Sequence, residues 1–402
     1  MKIVLLHQFF ILDSEPGGSR HIFLSRFFKN HGAEVNVIAG AVNYMTGKSK
    51  LPWYRLWKKE VVDGISITWV ACTPSLRFGV PGKILCYLSF FFLALPMILT
   101  TSGDILITTS PPPSVSFLGL LLHKFKNIPW VLEVRDLWPE MIQDLGVKIG
   151  VFSRISNKIA CDLYKNSSSI IALTPGFAKI IAQKGISSEK ISVIPNGVDP
   201  IFEDQPQNQI STSFNENKKF CVLYLGSMGT ANRLTTLLSL AERLIDYPDI
   251  QFVFIGDGTE KNKLMREAAE KKLTNVLFQN SVPRQSVPEV LKQADLCILT
   301  HAQQGSFHAF IPNRLFDYLA SGKPVLAVLE KGDASEILEK SGGGTQISAK
   351  DLDAAAKAIL DLRIDPEKRR KMGASGQKYA FEKFLRKNLA EKYFKILERV
   401  KR

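Results

Sequence analysis

The chain has 402 residues, five cysteines and a formal net charge of +14 at neutral pH. This length exceeds what one hydrophobic core usually serves, so we expect two domains. The cysteines stand singly and never at metal-ligand spacing, which argues against a zinc site or a disulfide framework and favours the cytoplasm. The opening MKIVLLHQFF is apolar for too few residues to be a signal peptide and predicts a first strand.

The first half of the chain alternates apolar strand-like runs with helical stretches. A helix over about 19–30 follows the first run. Such alternation is typical of a parallel sheet that is covered by helices on both faces. The predicted strands are 2–6, 34–40, 64–70, 104–110, 130–136, 169–174 and 190–197.

One stretch of this half, residues 47–60, mixes cations with aromatic side chains. That mixture favours contact with an anionic membrane surface, although a solvated loop with its tryptophans in the core stays an alternative. The charge argues little for nucleic acid, because no helix-turn-helix, zinc-finger or RNP-type pattern accompanies it. The predicted membrane contacts are Lys50, Trp53, Arg55, Trp57, Lys58 and Lys59.

Residues 84–103 form an uncharged run that is long enough to span a bilayer. A strand-like segment follows at once, so we favour a buried helix packed on the sheet. A helix that dips into the membrane and a true span stay open as alternatives.

The second half restarts the alternation after a polar stretch, 203–219, which we interpret as a linker. We therefore predict two doubly wound α/β domains, 1–198 and 199–377, with a C-terminal helix of about 378–402 that packs back on the first. The predicted strands of the second domain are 220–226, 250–258, 275–280, 295–300 and 324–328.

The segment PNRLFDYLASGKPV predicts a short helix that begins after Pro312 and ends at Gly322. Arg314 and Asp317 lie three residues apart on one face of it. They form either a surface ion pair or the floor of a site.

Three strand-to-helix turns are rich in glycine. The free backbone N–H groups of the first two could bind phosphate, although the first could equally be a plain tight turn, and the third could contact a base or ribose. The turn PGGSRH adds Arg20 and His21 after Gly18. No Walker lysine pattern or complete GxGxxG occurs, which argues against ATPase and dinucleotide functions. The turns of the second domain contribute Gly226, Ser227, Asn232 and Arg233, then Gly256, Asp257 and Gly258.

The segment EVRDLWPE ends a predicted strand with Glu133, Arg135 and Asp136. Charge at the end of a buried strand costs free energy unless it is paired or functional. A structural ion pair between Arg135 and Asp136 is the alternative to a catalytic role.

Together, EPGGSR, VRDLWPE, IPNGVD, YLGSMG, FIGDG and PNRLFDYLASGKPV resemble, in order and spacing, the retaining GT-B glycosyltransferases of family 4. The similarity covers nearly the whole chain and is strongest to bacterial enzymes that assemble capsule, O-antigen (lipopolysaccharide) and exopolysaccharide units. The resemblance implies a GT-B fold, with an N-terminal acceptor domain and a C-terminal nucleotide-sugar domain that face a central cleft.

The resemblance also implies roles for individual residues. Asp317 would accept hydrogen bonds from the donor ribose, and Asp136 would orient or deprotonate the acceptor hydroxyl. The other catalytic candidates are Arg135, Arg233 and Arg314. Further donor contacts would be Gly18, Gly226, Ser227, Asn232, Gly256, Asp257, Gly258, Pro312, Asn313 and Leu315, and contacts to the acceptor or donor sugar Arg20, His21, Glu133 and His308.

The chain departs from the family pattern at three places. The acid usually found eight residues before Asp317 is replaced by Ala309, for which His308 or Gln304 could substitute. The usual basic pair after the YLG turn is reduced to Asn232 and Arg233. Many members carry His-Asp where this chain has Arg-Asp at 135–136, so no histidine role is carried over to that position.

We therefore expect a retaining, metal-independent and cofactor-free enzyme. It would move a sugar, such as an N-acetylated hexosamine or deoxyhexosamine, from a UDP-sugar to a lipid-linked acceptor at the inner face of the cell membrane. Two alternatives remain: a nucleotide-sugar 2-epimerase of the same fold, and a catalytically decayed protein that binds the membrane surface.

Overall fold

The computed structural model describes residues 1–15, 17–75, 79–144, 152–203 and 219–401, which form two compact units. The first unit comprises Met1–Pro195 and the residues from Lys387 on, and the second comprises Asn196–Arg386. The division thus falls three residues before the predicted junction. The predicted linker lies outside the described residues except at its two ends, as do Pro16 and part of the helical region after the EVRDLWPE segment.

The elements alternate along the chain as predicted, except that residues 57–62 and 344–347 form strands that the sequence did not predict. The strands are β1 Lys2–His7, β2 Glu34–Gly40, β3 Trp57–Val62, β4 Ile65–Val70, β5 Ile105–Ser110, β6 Trp130–Val134, β7 Ser169–Ala172, β8 Ile191–Val193, β9 Phe220–Leu225, β10 Ile250–Ile255, β11 Val276–Gln279, β12 Leu296–Leu299, β13 Val325–Val328 and β14 Gly344–Ile347. The helices are α1 Arg20–Asn30, α2 Gly79–Thr100, α3 Pro113–Lys126, α4 Glu140–Asp144, α5 Phe152–Asn166, α6 Pro175–Gln183, α7 Thr235–Arg243, α8 Lys261–Glu270, α9 Val287–Lys292, α10 Asn313–Ala320, α11 Asp333–Ser341, α12 Leu352–Ile364, α13 Pro366–Phe384 and α14 Arg386–Lys401.

The sheet of the first unit has the strand order β3-β4-β2-β1-β5-β6-β7-β8. Its pairings are parallel except between β3 and β4. The last helix, α14, joins this unit because Leu389, Tyr393 and Leu397 are buried in its core. These side chains lie four residues apart and therefore share one helix face. The return to the first unit thus begins at about 387, and not at 378 as predicted, because α13 belongs to the second unit.

The sheet of the second unit has the order β11-β10-β9-β12-β13-β14 and is parallel throughout. Along β9, Cys221 and Leu223 belong to one apolar cluster, whereas Val222 and Tyr224 belong to another. Successive strand residues point to opposite faces, so both faces of this sheet are buried. The prediction of two doubly wound α/β domains is confirmed.

Two expectations fail in the first unit. The basic segment contains an edge strand, β3, which the sequence reading missed. The apolar run is indeed a helix, α2, but only 28% of its most apolar stretch is buried. The favoured prediction of a buried helix is therefore wrong for most of its surface. One stripe of side chains suffices to cover the sheet, and the rest of this uniformly apolar helix faces outward.

Helix α13 approaches the second unit through two glycines. A Cβ atom on Gly373 would lie 1.9 Å from the carbonyl oxygen of Gly322, and one on Gly376 would lie 2.8 Å from the Cα of Gly343. Both contacts are to backbone, which cannot rotate away as a side chain can. The close packing of α13 therefore requires residues without a side chain at these positions.

We predict that Gly373→Ala lowers the free energy of unfolding by about 1–3 kcal/mol. At an unobstructed helix position the same change would stabilise by roughly 1 kcal/mol, so the sign of the effect is diagnostic. Urea unfolding measures it, with Lys378→Ala on the exposed side of α13 as the control. Unchanged or increased stability of Gly373→Ala would show that the close approach is absent.

Candidate functional site

The two glycine turns of the second unit pack against each other. The N–H of Gly226 donates to the carbonyl of Ile255 at 2.9 Å. Gly226 and Gly256 have φ values of +148° and +154°, which favour glycine. A Cβ on Gly256 would lie 1.9 Å from the carbonyl oxygen of Gly226, and one on Gly258 would lie 2.5 Å from that of Met228. The structure thus gives these glycines a packing role, and their predicted contact with a donor stays a prediction.

Helix α10 is anchored at the carboxyl end of β9. The pairing of β9 with β12 ends at Leu223 and Cys297, so within the described residues the backbone of Leu225 has no strand partner on that side. The Tyr318 hydroxyl fills the gap by accepting from the Leu225 N–H at 2.8 Å and donating to the Leu225 carbonyl at 3.2 Å. Buried backbone groups need such partners, and this one fixes the position of α10.

Arg314 is a half-buried residue of α10. Its guanidinium is 4.5 Å from the ring centre of Tyr224, and its Nη2 donates to Asn232 Oδ1 at 2.9 Å. Asn232 in turn donates to the carbonyl and the hydroxyl of Ser227, at 2.9 and 3.1 Å. Arg314 Nη1 is buried and has no hydrogen-bond partner among the described residues. The residues predicted to hold a diphosphate, namely Gly226, Ser227, Asn232 and Arg314, therefore come together around an unused cationic donor.

The remaining predicted donor contacts are more dispersed. The Arg233 side chain is exposed, and its backbone has a φ of +49°, which is uncommon for a residue other than glycine. Asp257 is exposed and accepts from the Gly258 N–H at 2.8 Å. Pro312 precedes α10, and Asn313 is its first residue. The prediction that Leu315 contacts the donor is corrected, because its side chain is buried in the apolar core of the second unit and is not available to a ligand.

Asp317 forms no surface ion pair with Arg314, because each has another partner. Asp317 is buried, and its two carboxylate oxygens each accept from Arg284, both at 2.7 Å. Arg284 Nε also donates to Asp199 at 3.0 Å, and Asp199 accepts from Arg386 at 2.8 Å. Burial disfavours the charged form of Arg284, but the carboxylates of Asp317 and Asp199 outweigh burial and raise its pKa. Both Asp317 oxygens are thus engaged within the protein, and the ribose contact stays a prediction.

Sequence reasoning missed Arg284 and also His301, which follows β12. His301 is buried, its Nδ1 lies 2.6 Å from the carbonyl oxygen of Ala302, and burial together with the charge of Arg314 lowers its pKa to about 4. It is therefore neutral at physiological pH. The predicted His308 is exposed, whereas Ala309, at the place of the missing acid, is buried. No pattern near Arg284 or His301 in the sequence identifies either residue.

In the first unit, Glu133 lies buried at the end of β6. Its Oε1 is 3.1 Å from both Arg20 Nε and His21 Nε2. Burial raises the pKa of this carboxyl, but the nearby Arg20 and His21 outweigh burial and hold the pKa well below its usual range. Arg20 also donates to the carbonyls of Ile194 and Pro195, at 3.1 and 2.6 Å. Arg20, Glu133 and His21 are thus buried framework residues, which corrects their prediction as sugar contacts.

Two buried histidines, His7 and His21, lie side by side next to this ion pair. The rings of His7 and His21 have centres 4.0 Å apart. His7 Nδ1 is 2.5 Å from Thr109 Oγ1, and Arg135 Nη1 is 3.4 Å from His7 Nε2. Burial lowers the pKa of His21 to about 4. Burial also lowers the pKa of His7 well below 6.5, and electrostatic interaction with His21 and Arg135 lowers it further. Neutral His7 can accept from Arg135 and so orient it. The sequence reading did not identify His7.

Asp136 follows β6 and is only partly exposed. Among the described residues it forms no salt bridge with Arg135, although the two are neighbours. Burial raises the pKa of the Asp136 carboxyl, against the opposing charge of Arg135. Desolvation of the Tyr44 hydroxyl raises its pKa, the Asp136 charge adds to this rise, and the Gly18 N–H donates to the hydroxyl. Gly18, Tyr44, Arg135 and Asp136 therefore share the carboxyl edge of the first sheet.

The predicted membrane contacts divide into two groups. Lys50 bonds to Glu15 and lies 4.5 Å from the ring centre of Trp69, so its ammonium is not presented to a surface. This corrects its prediction. The other five side chains are exposed: Trp53, Arg55, Trp57, Lys58 and Lys59.

Comparison with known proteins identifies the two halves of the chain. Residues 17–202 match Glycosyltransferase Family 4, and residues 205–379 match Glycosyl transferases group 1. The whole chain superimposes on HepE of Anabaena in complex with UDP and glucose, with a TM-score of 0.70, 18% identity and 99% of each chain covered. It also superimposes on an Escherichia coli structure described as trehalose-6-phosphate bound with UDP-2-fluoro glucose, with a TM-score of 0.75, 13% identity and coverage of 100% and 99%. The fold is that of the GT-B glycosyltransferases.

Curated relatives are similar over parts of their length. WbjE of Pseudomonas aeruginosa, named as a glycosyltransferase, is 24% identical over 65% of this chain and 66% of its own. WcaI of Escherichia coli, named for colanic acid biosynthesis, is 26% identical over 50% of this chain and 51% of its own. The matches thus span about half to two thirds of these relatives. The chain carries a family 4 domain followed by a group 1 domain of the GT-B glycosyltransferases.

The buried histidines predict a pH-dependent stability. The pKa of His21 is about 4 in the folded protein and about 6.5 when unfolded, so the unfolded chain takes up a proton first as the pH falls. The contribution of this histidine to the free energy of unfolding is therefore fully present above about pH 6.5. It decreases towards pH 4, by up to about 1.4 kcal/mol per pH unit for one histidine. His21→Gln should make the free energy of unfolding less dependent on pH between pH 6.5 and 5, where Glu133 stays ionised.

Urea midpoints at pH 6.5 and 5.0 measure this difference. His31→Gln, at an exposed position of the same unit, is the matched control and should keep the slope of the parent protein. An equal slope for the parent and the His21 variant would contradict burial of a neutral imidazole at position 21.

Proposed function

We propose that the protein is a retaining glycosyltransferase of bacterial surface-polysaccharide biosynthesis. It transfers a sugar, of the N-acetylated hexosamine or deoxyhexosamine type, from a UDP-sugar to a lipid-linked acceptor. Transfer requires no metal ion or cofactor, and the enzyme works at the cytoplasmic face of the membrane.

The comparisons support the general part of this proposal. Both halves of the chain match glycosyltransferase families. Relatives are named for colanic acid and teichuronic acid biosynthesis, in Escherichia coli and Bacillus subtilis. Structures with the same fold contain UDP or UDP-glucose. These similarities favour a polysaccharide product and a UDP-linked donor.

The observation that carries the proposal is Nη1 of Arg314, which is buried and has no hydrogen-bond partner in the described part of the chain. A desolvated cationic donor without a partner is costly, and a phosphate oxygen would satisfy it with a charge-assisted hydrogen bond. Breakage of the glycosidic bond places negative charge on the leaving diphosphate. Arg314, held in place by Asn232 and Tyr224, would stabilise that charge without reorganisation, and the exposed Arg233 would add to it. Two guanidinium groups can supply the charge that a divalent ion supplies elsewhere.

Asp136 supports the second part of the chemistry. Burial raises the pKa of its carboxyl, which makes the carboxylate a stronger base, and Arg135 beside it is oriented by neutral His7. A carboxylate with these properties can orient an acceptor hydroxyl or take its proton. In a retaining transfer the hydroxyl attacks from the face that the diphosphate leaves, so the two groups share one hydrogen-bonded environment.

A donor screen tests the function directly. Thermal shifts with UDP, GDP and their sugars identify the nucleotide, and NMR of the product formed on a lipid-linked acceptor identifies the anomer. Transfer with retention supports the proposal. Release of nucleotide and rearrangement of the sugar without any acceptor would instead identify the 2-epimerase alternative, and failure to bind any nucleotide sugar would favour the decayed binding protein.

The ribose contact of Asp317 can be separated from its ion pair. Asp317→Ala should weaken UDP binding by about 1–3 kcal/mol, because ribose hydroxyls lose their acceptor. Arg284→Lys breaks the bidentate geometry but keeps both the charge and the acid, so UDP affinity should change less than about threefold. Calorimetric titration of folded variants compares them. Equal losses in the two variants would assign Asp317 to the ion-pair network alone.

Asp136→Asn should leave UDP affinity nearly unchanged and lower turnover by about 10²-fold or more, since the amide cannot accept the proton. Initial rates at saturating donor measure the effect. Asp63→Asn, an exposed position in the first unit, is the matched control and should keep full activity. Full activity of folded Asp136→Asn would remove Asp136 from the mechanism.

A further inference from the structure

Helix α2 is unusual for the surface of a water-soluble unit. In the described part of the chain it is the one helix that is long and apolar enough to cross a bilayer by length and composition. Its 22 residues include a single charged side chain, Lys83. The helix therefore has no polar face of its own to turn towards water.

One face of α2 is attached to the first unit. Cys86, Phe90, Ala94 and Ile98 are buried, and their spacing of four residues places them in one stripe. Gln8 Nε2 donates to the carbonyl of Cys86 at 3.2 Å. These contacts hold the helix lengthwise against the unit, so a membrane-crossing orientation would require their loss.

The other face of α2 is an exposed apolar ridge. Phe92 is 64% exposed, and the neighbouring members of the ridge are each about half exposed. A soluble protein rarely presents large contiguous apolar surface without a partner. The ridge consists of Ile84, Leu85, Leu88, Phe92 and Leu99.

The aromatic segment 53–57 lies close to this ridge. The carbonyl of Leu56 accepts from the Ala71 N–H at 2.8 Å. Two residues further, the Thr73 N–H donates to Ser89 Oγ, on α2, at 3.0 Å. Ala71, which contacts the segment, and Thr73, which contacts the helix, are thus at most about 7 Å apart along the chain. Trp53 is 95% exposed, and Tyr54 and Trp57 are exposed as well.

Cations outnumber acids around the ridge. Residues 47–60 contain five cations and one acid, Glu60, which pairs with Lys58. Lys83 is the one charged residue of 79–103, and Asp104, directly after them, pairs with Lys401. At the far end of α2, Lys126 donates to the Thr101 carbonyl at 2.6 Å, beside the exposed Phe125. Cations with interfacial aromatics around an apolar ridge complement an anionic lipid surface. The exposed cations are Lys48, Arg55, Lys58, Lys59, Lys83, Lys124 and Lys126.

We infer that α2 and segment 53–57 form one membrane-docking surface, with α2 lying in the plane of an anionic leaflet. The ridge enters the boundary between headgroups and acyl chains, while the tryptophans and cations stay at headgroup level. This deepens the proposed function, on which it rests only for the location of the lipid-linked acceptor. Binding to lipid is measured without donor or acceptor, so it can fail or succeed independently of sugar transfer.

Co-sedimentation with mixed phosphatidylcholine and phosphatidylglycerol vesicles tests the surface. The parent protein should bind, and the double variant Leu88→Glu, Phe92→Glu should bind about tenfold more weakly or worse, because both side chains would carry charge into the apolar layer. Ile364→Glu is the matched control, since Ile364 is 75% exposed in the second unit, and it should bind like the parent protein. Trp53 fluorescence should shift to shorter wavelength with vesicles in the parent protein, and Trp53→Phe identifies its contribution.

Three results would overturn the inference. One is a parent protein that does not bind anionic vesicles at low salt. The second is a double variant that keeps its circular dichroism melting profile and binds as well as the Ile364→Glu control. The third is sedimentation velocity showing, without lipid, a dimer that the double variant dissociates, because a second copy would then cover the ridge.

Discussion

A carboxylate buried in a protein persists only if other groups replace the water that it has lost. In the second unit Arg284 does this for Asp317 and Asp199 at once, and Asp199 also holds Arg386. Asp199 and Arg386 lie close to the two points at which the chain passes between the units, at 195–196 and 386–387. The backbone of Val198 pairs there with those of Phe384 and Arg386. The position of α10, and with it that of Arg314, therefore depends on this network.

Each unit keeps a buried guanidinium donor at the carboxyl edge of its sheet. Nε of Arg135 in the first unit and Nη1 of Arg314 in the second have no hydrogen-bond partner among the described residues. The two arginines differ in their neighbours. Arg135 adjoins the carboxylate of Asp136, which suits a hydroxyl acceptor, whereas Arg314 contacts Asn232 and Tyr224, which carry no negative charge, and so suits a diphosphate. The proposed division between acceptor and donor is consistent with this difference.

The sequence predicted the strands well because buried parallel strands are continuous apolar runs, which are recognisable without tertiary information. The structure also brings together Gly226, Asn232 and Arg314, which the sequence placed in or next to strand-to-helix turns, because carboxyl ends of parallel strands meet at one edge. The sequence could not predict the partner of Asp317, since Arg284 is 33 residues away and no local pattern links them. The exposure of α2 could not be predicted for another reason. A helix that is apolar on all sides has no hydrophobic periodicity to indicate which side faces the sheet.

The two roles considered for Asp317 are compatible. A carboxylate has about four lone-pair positions, and Arg284 uses one on each oxygen. Each oxygen therefore keeps room for a further donor, such as a ribose hydroxyl. The bidentate contact with Arg284 compensates the buried charge of Asp317 and fixes its short side chain in a single orientation.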